Sequence, residues 1–386
     1  MKDTLMNKAE AVLLQLIKAS LFNIDTDFSD DVDWNAVLTE ANEQKIIPLV
    51  IDCVPKSVKE VWLPYSTQIK AHFMRVLYEQ TKALELLSSA RIPCVILKGF
   101  AAAAYYPTPF ERTMGDVDIL IAEDRFEQAL QLFKSNDYKT VHDPIDGREA
   151  KLVHNDIAVE LHLRYCDKER DFEPLLQEGL KACQTFEIYG ETFPSLPKKE
   201  NGLVLLDHIR HHLLGGLGLR QIIDFMMFVN SEPDMERFQR EFLPVFEQNG
   251  LGTLVRAVTK VCVKYLGLPV SATWCESVDD QTADQLLEYV LKCGNFGRKN
   301  PYEYRPVSSF TMEVKKHGLF RTLQRAGVAN CKVFQKHAVL RPFAWIYQSF
   351  RYFRKGIVAL FKGEKLSEDV AEGKKKAEFF TKLGIN

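Results

Sequence analysis

The chain has 386 residues, of which 46% are hydrophobic and 26% are charged. This composition excludes a disordered or fibrous protein, and the length suffices for two or three packed units, since domains usually contain ~100–200 residues. The formal net charge of −2 is unevenly spread: residues from Lys315 onward carry 16 Lys and Arg against 5 Asp and Glu, whereas the preceding residues carry 34 against 47. This asymmetry predicts an anionic partner for the C-terminal part.

The N-terminal apolar segment is predicted to be an amphipathic helix and not a signal peptide. Its apolar residues recur at helical spacing between Met1 and Phe22, and Glu10 and Lys18 interrupt the run. No segment reaches the ~18 apolar residues needed to cross a bilayer. Eight cysteines are spread along the chain without a C-x-x-C pair, which argues against a disulfide framework and a zinc site. We therefore expect a cytoplasmic protein.

Residues 1–90 are predicted to form an N-terminal helical region. After the first helix, Asp33 is a plausible N-cap for a second one. A third helix is indicated by apolar periodicity from Tyr65 to Ser89.

Residues 91–196 are predicted to form a small α/β core. Short apolar runs, helical periodicity and turn residues alternate here. The Asn155-Asp156 dipeptide is a strong signal for a two-residue hairpin. The predicted elements are strand Ile92–Leu97, helix Phe100–Tyr106, strand Gly115–Ile121, helix Glu123–Ser135, and hairpin strands Lys151–His154 and Ile157–Leu163.

Residues 197–314 are predicted to form a further helical domain, and residues 315–386 a basic, aromatic helical tail. Within this tail, residues 339–362 interleave aromatic side chains with Arg and Lys. This pattern is compatible with a peripheral contact at the inner membrane face or with nucleic-acid binding. The remaining alternative is a terminal helix that packs its aromatic rings on the core and keeps its basic groups in solvent.

Two carboxylates lie one residue apart on the second predicted strand. Strand alternation places Asp116 and Asp118 on one face, and Glu160 occupies a matching position on a later strand. If these strands are neighbours, the three carboxylates meet, and hard oxygen ligands on rigid strands suit Mg²⁺. Without metal, such like charges should repel one another and raise the pKa of at least one carboxyl. The alternative is a solvated strand end at which Asp116 caps the turn.

The order of these motifs resembles the DNA polymerase β-like nucleotidyltransferase superfamily, and most closely a bacterial family of uncharacterised nucleotidyltransferases. The resemblance covers roughly residues 30–240. It rests on Leu97-Lys98-Gly99, Arg112, Gly115-Asp116-Val117-Asp118, Val159-Glu160-Leu161-His162, and then His208, His211, Leu219-Arg220 and Asp224.

The resemblance implies an α+β fold, in which a small mixed-sheet nucleotidyltransferase core is embedded in a largely helical chain. It also implies transfer of a nucleoside monophosphate from a nucleoside triphosphate, with ATP as the expected donor, to a hydroxyl of a small molecule, sugar or peptide, with release of pyrophosphate. Asp116 and Asp118 would bind two Mg²⁺ ions, and Glu160 would bind the catalytic ion beside the acceptor hydroxyl.

The nucleotide phosphates need donors and positive charge. By the resemblance these come from Lys98, Gly99, Arg112 and Gly115. Lys98 is alternatively a solvated turn residue, and Arg112 a partner of Glu111 or another acid. The superfamily carries Gly or Ser where this chain has Phe100, which puts the usual phosphate contact at that position in doubt.

The acceptor side is expected to involve His162, His208, His211 and Arg220, with residues 197–314 as an acceptor-side domain. His208 and His212 share a helix face and could suggest zinc, but no third strong ligand lies nearby in the sequence. Ordinary helix packing of the histidines, and an Arg220–Asp224 pair, are the alternatives.

Two other functions share these motifs. One is a toxin-like nucleotidyltransferase that modifies protein or RNA, and the other is a non-catalytic nucleotide-binding regulator. The presence of all three carboxylates argues against the regulator. The acidic main body argues against a stable nucleic-acid partner, which needs a basic surface.

Overall fold

Two helices open the chain where the sequence predicts them. Helix α1 (Lys8–Phe22) begins at a capping box formed by Asn7 and Glu10. Helix α2 (Trp34–Glu43) begins after the predicted N-cap Asp33, whose carboxylate accepts two backbone N–H groups. The computed structural model describes residues 5–142, 148–166, 172–269, 271–299, 313–314, 317–361 and 366–385.

The long helix before the sheet starts earlier than predicted. After the short helix α3 (Ile47–Val50), helix α4 spans Lys56–Ser89 and contains Pro64. In its first turns, apolar residues such as Val61 and Leu63 are 54% and 52% exposed, so they do not mark a buried helix face. Apolar periodicity therefore marks only the part of α4 that packs on the sheet.

A seven-stranded mixed sheet follows, with the spatial order β3-β4-β5-β2-β1-β7-β6. Strand β2 pairs with β5, and β1 with β7, in parallel, and the other neighbours are antiparallel. The predicted α+β fold class is confirmed. The strands are β1 (Cys94–Leu97), β2 (Val117–Ile121), β3 (Lys139–His142), β4 (Glu149–His154), β5 (Ile157–His162), β6 (Gln184–Ile188) and β7 (Glu191–Ser195).

The first hairpin agrees with the sequence prediction. At its turn, Asn155 and Asp156 have φ angles of 48° and 61°, as a type I′ turn requires. The turn fixes the register of β4 and β5, so that Lys151 lies opposite Glu160.

The second hairpin, β6–β7, is not predicted from the sequence. Its strands carry few buried residues, so they lack the apolar alternation by which strands are recognised. The hairpin joins the sheet through one parallel bridge, between Ile96 and Ser195, which no local pattern foretells.

The remaining helices surround the sheet. They are α5 (Gly99–Ala103), α6 (Phe126–Ser135), α7 (Glu173–Lys181), α8 (Lys198–Gly215), α9 (Leu219–Asn230), α10 (Met235–Arg237), α11 (Leu243–Gln248), α12 (Gly252–Leu266), α13 (Asp280–Cys293), α14 (Leu319–Asn330), α15 (Lys332–Lys336), α16 (Ala344–Phe361) and α17 (Leu366–Lys382). Among the helices that the structure describes, none is long and apolar enough to cross a membrane.

Two buried clusters cover the two faces of the sheet. On one face, α4 and α6 pack against alternate residues of β2 and β5. On the other, helices from α1 to α13 form a larger core, which Phe380 and Leu383 of the C-terminal segment join. Helices α8 and α9 therefore lie on the face of β2 that Leu120 occupies, and Asp118 shares that face by alternation.

Candidate active site

Asp118 and Glu160 are direct neighbours on the parallel strands β2 and β5. The intervening residues Val117, Ile119 and Val159 are buried in the cluster under α4 and α6. Because side chains alternate along a strand, both carboxylates lie on the opposite face, as the sequence pattern predicts.

Asp118 is buried and its charge is compensated. The Lys98 ammonium lies 2.7 Å from Asp118 Oδ1, and His162 Nε2 donates a hydrogen bond of 2.9 Å to the same oxygen. Burial opposes ionisation of Asp118, but the charge of Lys98 and the hydrogen bond from His162 outweigh it, and the pKa of Asp118 lies well below its usual range. Asp118 is therefore a carboxylate at neutral pH.

Glu160 forms an ion pair with Lys151. The Lys151 ammonium reaches across the hairpin to within 2.5 Å of Glu160 Oε1. His162 lies at the open end of the β4–β5 hairpin, opposite Glu149. Its Nε2 is 3.9 Å from Glu160 Oε2, and its Nδ1 is 3.4 Å from Glu149 Oε2. The latter approach is not a hydrogen bond, since Nδ1 of His162 has no partner among the described residues.

The prediction that like charges raise a carboxyl pKa is wrong for Asp118. Lys98 and Lys151 sit against the carboxylates and remove the repulsion on which that prediction rested. Lys151 was missed because its role depends on the hairpin register, which the Asn155-Asp156 turn could have supplied.

Three side chains have the spacing of metal ligands. One ligand atom each from Asp118, Glu160 and His162 lies within 4.8 Å of the others. Asp116 precedes β2, is half-buried and lines the same cavity, but it stands outside this close group. Two carboxylates and an imidazole are a donor set that a divalent cation can occupy.

The Lys98-Gly99 turn holds a backbone conformation that few residues adopt. Lys98 has φ 47° and ψ −126°, and Gly99 has φ 27°. For lysine this positive φ is strained, and such strain is often found at functional sites. The turn presents the Lys98 ammonium to Asp118. Although burial lowers the pKa of Lys98, the surrounding carboxylates outweigh this and raise it, so the charge is retained.

Phe100 does not enter the cavity. Its side chain is 1% exposed, and its ring packs edge-on against Phe73 at 5.0 Å in the core. The side chain at this position therefore offers no phosphate contact, and the turn presents only Lys98 and its own backbone to the cavity.

A cavity of about 320 Å³ lies between this part of the sheet and helices α8 and α9. Every side chain or glycine predicted for the site lines it: Lys98, Gly99, Arg112, Gly115, Asp116, Asp118, Glu160, His162, His208, His211 and Arg220. Six further residues that were not predicted as site residues also line the cavity, namely Arg148, Glu149, Tyr165, Asp207, His212 and Phe296.

Histidines of α8 form the wall opposite the carboxylates. The rings of His208 and His212 meet edge-on at 4.3 Å, and His212 contacts Phe296 at 4.9 Å. Burial lowers the pKa of His208 well below its usual range and that of His212 to about 3, so both are neutral near pH 7. The close metal-ligand group in the described part of the chain does not include them, which argues against the zinc alternative.

Arg112 is held in a buried ion pair. Its Nε and Nη2 donate hydrogen bonds of 2.7 and 2.8 Å to the two carboxylate oxygens of Asp224, and the Tyr106 hydroxyl donates a third of 2.8 Å. The acid that pairs with Arg112 is thus Asp224 and not Glu111. The pair ties the segment before β2 to α9 and so fixes the distance between the two walls of the cavity.

Arg220 is a buried cation that faces the cavity. It is 8% exposed, donates from Nη1 to the Thr113 carbonyl at 2.9 Å, and lies 5.7 Å from the centre of the Phe296 ring. Its Nε has no hydrogen-bond partner among the described residues, and Asp224, the partner expected as an alternative, is bonded to Arg112. A buried guanidinium with an unused donor favours an anionic ligand.

Comparison with known proteins places this site in a family. A family model described as uncharacterised nucleotidyltransferase matches residues 30–267, more than half of the chain. No curated protein matches significantly.

Two solved structures are similar. Lincomycin-bound lincosamide antibiotic adenylyltransferase LnuA is 14% identical, with a TM-score of 0.28, and the match covers 38% of this chain and 90% of that one. An antigenic nucleotidyltransferase-like protein from Paracoccidioides brasiliensis is 18% identical, with a TM-score of 0.25, and the match covers 42% of this chain and 74% of that one. On the family match, the chain belongs to the uncharacterised nucleotidyltransferase family.

Proposed function

We propose that this enzyme transfers a nucleoside monophosphate from a nucleoside triphosphate, ATP being the expected donor, to a hydroxyl of a small molecule, sugar or peptide. The acceptor oxygen bonds to the α-phosphorus, the bond from the α-phosphorus to the β-phosphate oxygen breaks, and pyrophosphate leaves. The observation that carries the proposal is the register-paired Asp118 and Glu160 at the floor of a cavity whose opposite wall carries a buried cation.

The donor set fits Mg²⁺. Asp118 and Glu160 would supply oxygen ligands to the metal, and Asp116, which lines the same cavity, would add a third carboxylate for the expected two ions. His162 is less typical of Mg²⁺, and its bond to Asp118 suits it to orient that carboxylate. When bound, the metal would neutralise phosphate charge and make the acceptor hydroxyl more acidic.

The protein's own groups have separate tasks in this proposal. Lys98 and Arg220 bind phosphate oxygens from opposite walls, and the backbone at Gly99 and Gly115 lets the nucleotide approach β1 and β2 closely. Glu160 accepts the proton of the acceptor hydroxyl. Arg112 acts indirectly, since its guanidinium is bonded to Asp224 and holds the walls together.

His208 and His212 of α8, which are neutral near pH 7, are suited to a hydroxyl-bearing acceptor. Neutral imidazoles donate one hydrogen bond and accept another, as a hydroxyl does. His208 and His211 line the cavity across from Glu160, and Tyr165 and Phe296 add aromatic surface. We assign the histidines and these aromatic rings to the acceptor. Arg220, which was expected on the acceptor side, is assigned with Lys98 to the nucleotide phosphates, because its Nε has no hydrogen-bond partner among the described residues.

The test of the proposed function is nucleotide binding with Arg220 replaced. Magnesium with the correct nucleotide should stabilise the parent by about 2.7 kcal/mol at a hundredfold excess over Kd. Arg220→Gln should weaken nucleotide binding by about 10–100-fold, because charge-assisted hydrogen bonds contribute ~1.5–3 kcal/mol. Thermal melting with ATP, CTP, GTP and UTP, followed by calorimetric titration, measures both effects.

The matched control is Arg240→Gln, since Arg240 is an exposed surface arginine outside the cavity lining. It should leave nucleotide affinity unchanged. The proposal fails if none of the four nucleotides stabilises the parent. If nucleotides bind but Arg220→Gln binds as tightly as the parent, only the assignment of Arg220 to phosphate fails.

Lys151 should compete with divalent metal for Glu160. Lys151→Met removes the ammonium from Glu160 Oε1, and metal affinity should rise by up to about fivefold, since a partly exposed pair contributes up to ~1 kcal/mol. Mn²⁺ binding followed by electron paramagnetic resonance measures this without any assay of transfer. Lys139→Met, an exposed lysine on β3, is the control. Unchanged or weaker Mn²⁺ binding in Lys151→Met would exclude the competition.

The membrane contact predicted for residues 339–362 is independent of this chemistry. This contact remains a proposal, and it depends on the exposed side chains of helices α14 and α16.

A further inference from the structure

The C-terminal helices α14 and α16 pack closely against each other. A β-carbon at Gly327 would lie 2.0 Å from the carbonyl oxygen of Ala344, so glycine is required at this contact. Ala344 and Gln348 of α16 are buried, and Thr322 of α14 is buried on the facing side. The two helices therefore form a hairpin whose interior holds small and polar residues. We call the residues between His317 and Arg354 the C-terminal hairpin.

The large apolar side chains of the hairpin point outward. Ile346, Phe350 and Phe353 recur at positions i, i+4 and i+7 on α16 and are 50%, 67% and 66% exposed. Phe320 and Phe343 are also more than half exposed. Three large apolar side chains exposed on one helix face indicate an interaction surface.

The hairpin is also strongly basic. The hairpin has no Asp or Glu in its sequence, so the basic side chains meet no acid within it. Its positively charged residues are Arg321, Arg325, Lys332, Lys336, Arg341, Arg351 and Arg354. Because Arg351 and Arg354 directly follow Phe350 and Phe353 in the chain, a partner that covers the apolar face meets positive charge beside it.

We propose that the outer face of the hairpin binds the surface of an anionic lipid bilayer. In an interfacial amphipathic helix, apolar side chains enter the headgroup and acyl boundary while basic residues meet anionic lipids. Trp345 and Tyr347 are partly exposed beside this face and suit the headgroup level. Within the predicted stretch 339–362, the structure describes the side chains only as far as Arg354.

Two other occupants fit less well. Single-stranded nucleic acid is bound by stacking on aromatic rings, whereas Ile346, Val339 and Leu340 are exposed aliphatic side chains that cannot stack. A second copy of the chain would bring two faces of the same charge together, which disfavours association.

Vesicle flotation of the full chain tests the proposal. The parent should bind phosphatidylcholine vesicles containing about 30% phosphatidylserine at least tenfold more tightly than phosphatidylcholine alone, and about 0.5 M salt should weaken this binding. Phe350→Ser/Phe353→Ser should weaken it by at least tenfold. Arg351→Gln/Arg354→Gln should weaken it roughly fivefold per charge, and only on anionic vesicles.

The matched control is Val61→Ser/Leu63→Ser, which removes two apolar side chains of α4 that are also more than half exposed and should bind like the parent. Nucleotide stabilisation should be unchanged in all variants, so this result is separable from the proposed function. Failure of the parent to bind anionic vesicles would overturn the proposal. So would a concentration-dependent dimer that Phe350→Ser/Phe353→Ser dissociates, or RNA binding that the arginine variants lose while vesicle binding is absent.

Discussion

Asp118→Asn should reduce nucleotide transfer by at least about 10³-fold while leaving the chain folded. Asp118 is 3% exposed and is paired with Lys98, and its pKa lies well below the usual range despite burial, so the native group carries a full negative charge. The amide removes that charge but keeps the shape. Steady-state transfer and the melting temperature, measured on the same preparation, separate lost chemistry from lost structure.

The melting temperature is informative because Asp118 also compensates Lys98. Asparagine would leave the lysine without its nearest carboxylate, so we expect the variant to melt somewhat below the parent when neither metal nor nucleotide is present. Glu187→Gln, an exposed strand glutamate on β6, should transfer normally. Transfer by Asp118→Asn within about tenfold of the parent would contradict the assignment of Asp118 to the reaction.

Asp224→Ala should lower the free energy of unfolding by about 3–5 kcal/mol, because it leaves a buried guanidinium without its partner. Arg112 is 4% exposed, and both of its hydrogen bonds to Asp224 are shorter than 3 Å. The Tyr106 hydroxyl loses its acceptor in the same variant. Urea unfolding followed by circular dichroism measures the change.

The control pair is Lys82 and Glu85, which are 45% and 59% exposed on α4. Glu85→Ala should cost no more than about 1 kcal/mol. The double variant Arg112→Met/Asp224→Leu should recover part of the lost stability, since it removes both charges together. If Asp224→Ala unfolds at the same urea concentration as Glu85→Ala, the buried pair does not hold the cavity walls together.

The centre of the site follows from local patterns in the sequence. Alternation around Asp118 and Glu160 indicates which face each carboxylate occupies, and the Asn155-Asp156 dipeptide fixes the adjoining hairpin. These signals depend only on residues close in sequence, and for this reason the four strands β1, β2, β4 and β5 at the centre of the sheet are predictable.

The electrostatic partners are not predictable in this way. Asp224 meets Arg112 across 112 residues of sequence, and Lys151 meets Glu160 only through the strand register. The i, i+4 spacing on one helix suggested Arg220 as the partner of Asp224, because such spacing relates only residues of the same helix. The expectation of a raised carboxyl pKa is wrong for Asp118 for a similar reason, because the sequence pattern does not show that the Lys98 ammonium lies against this carboxylate.

The most direct test of the central claim follows the two ends of the triphosphate. Parent protein, magnesium and cell lysate are incubated with each nucleoside triphosphate, labelled either at the α- or at the γ-phosphate. We expect that α-label enters an acceptor product, that γ-label appears in pyrophosphate, and that Asp118→Asn yields neither product. Transfer of γ-label to the acceptor, or equal transfer of α-label by parent and Asp118→Asn, would contradict it.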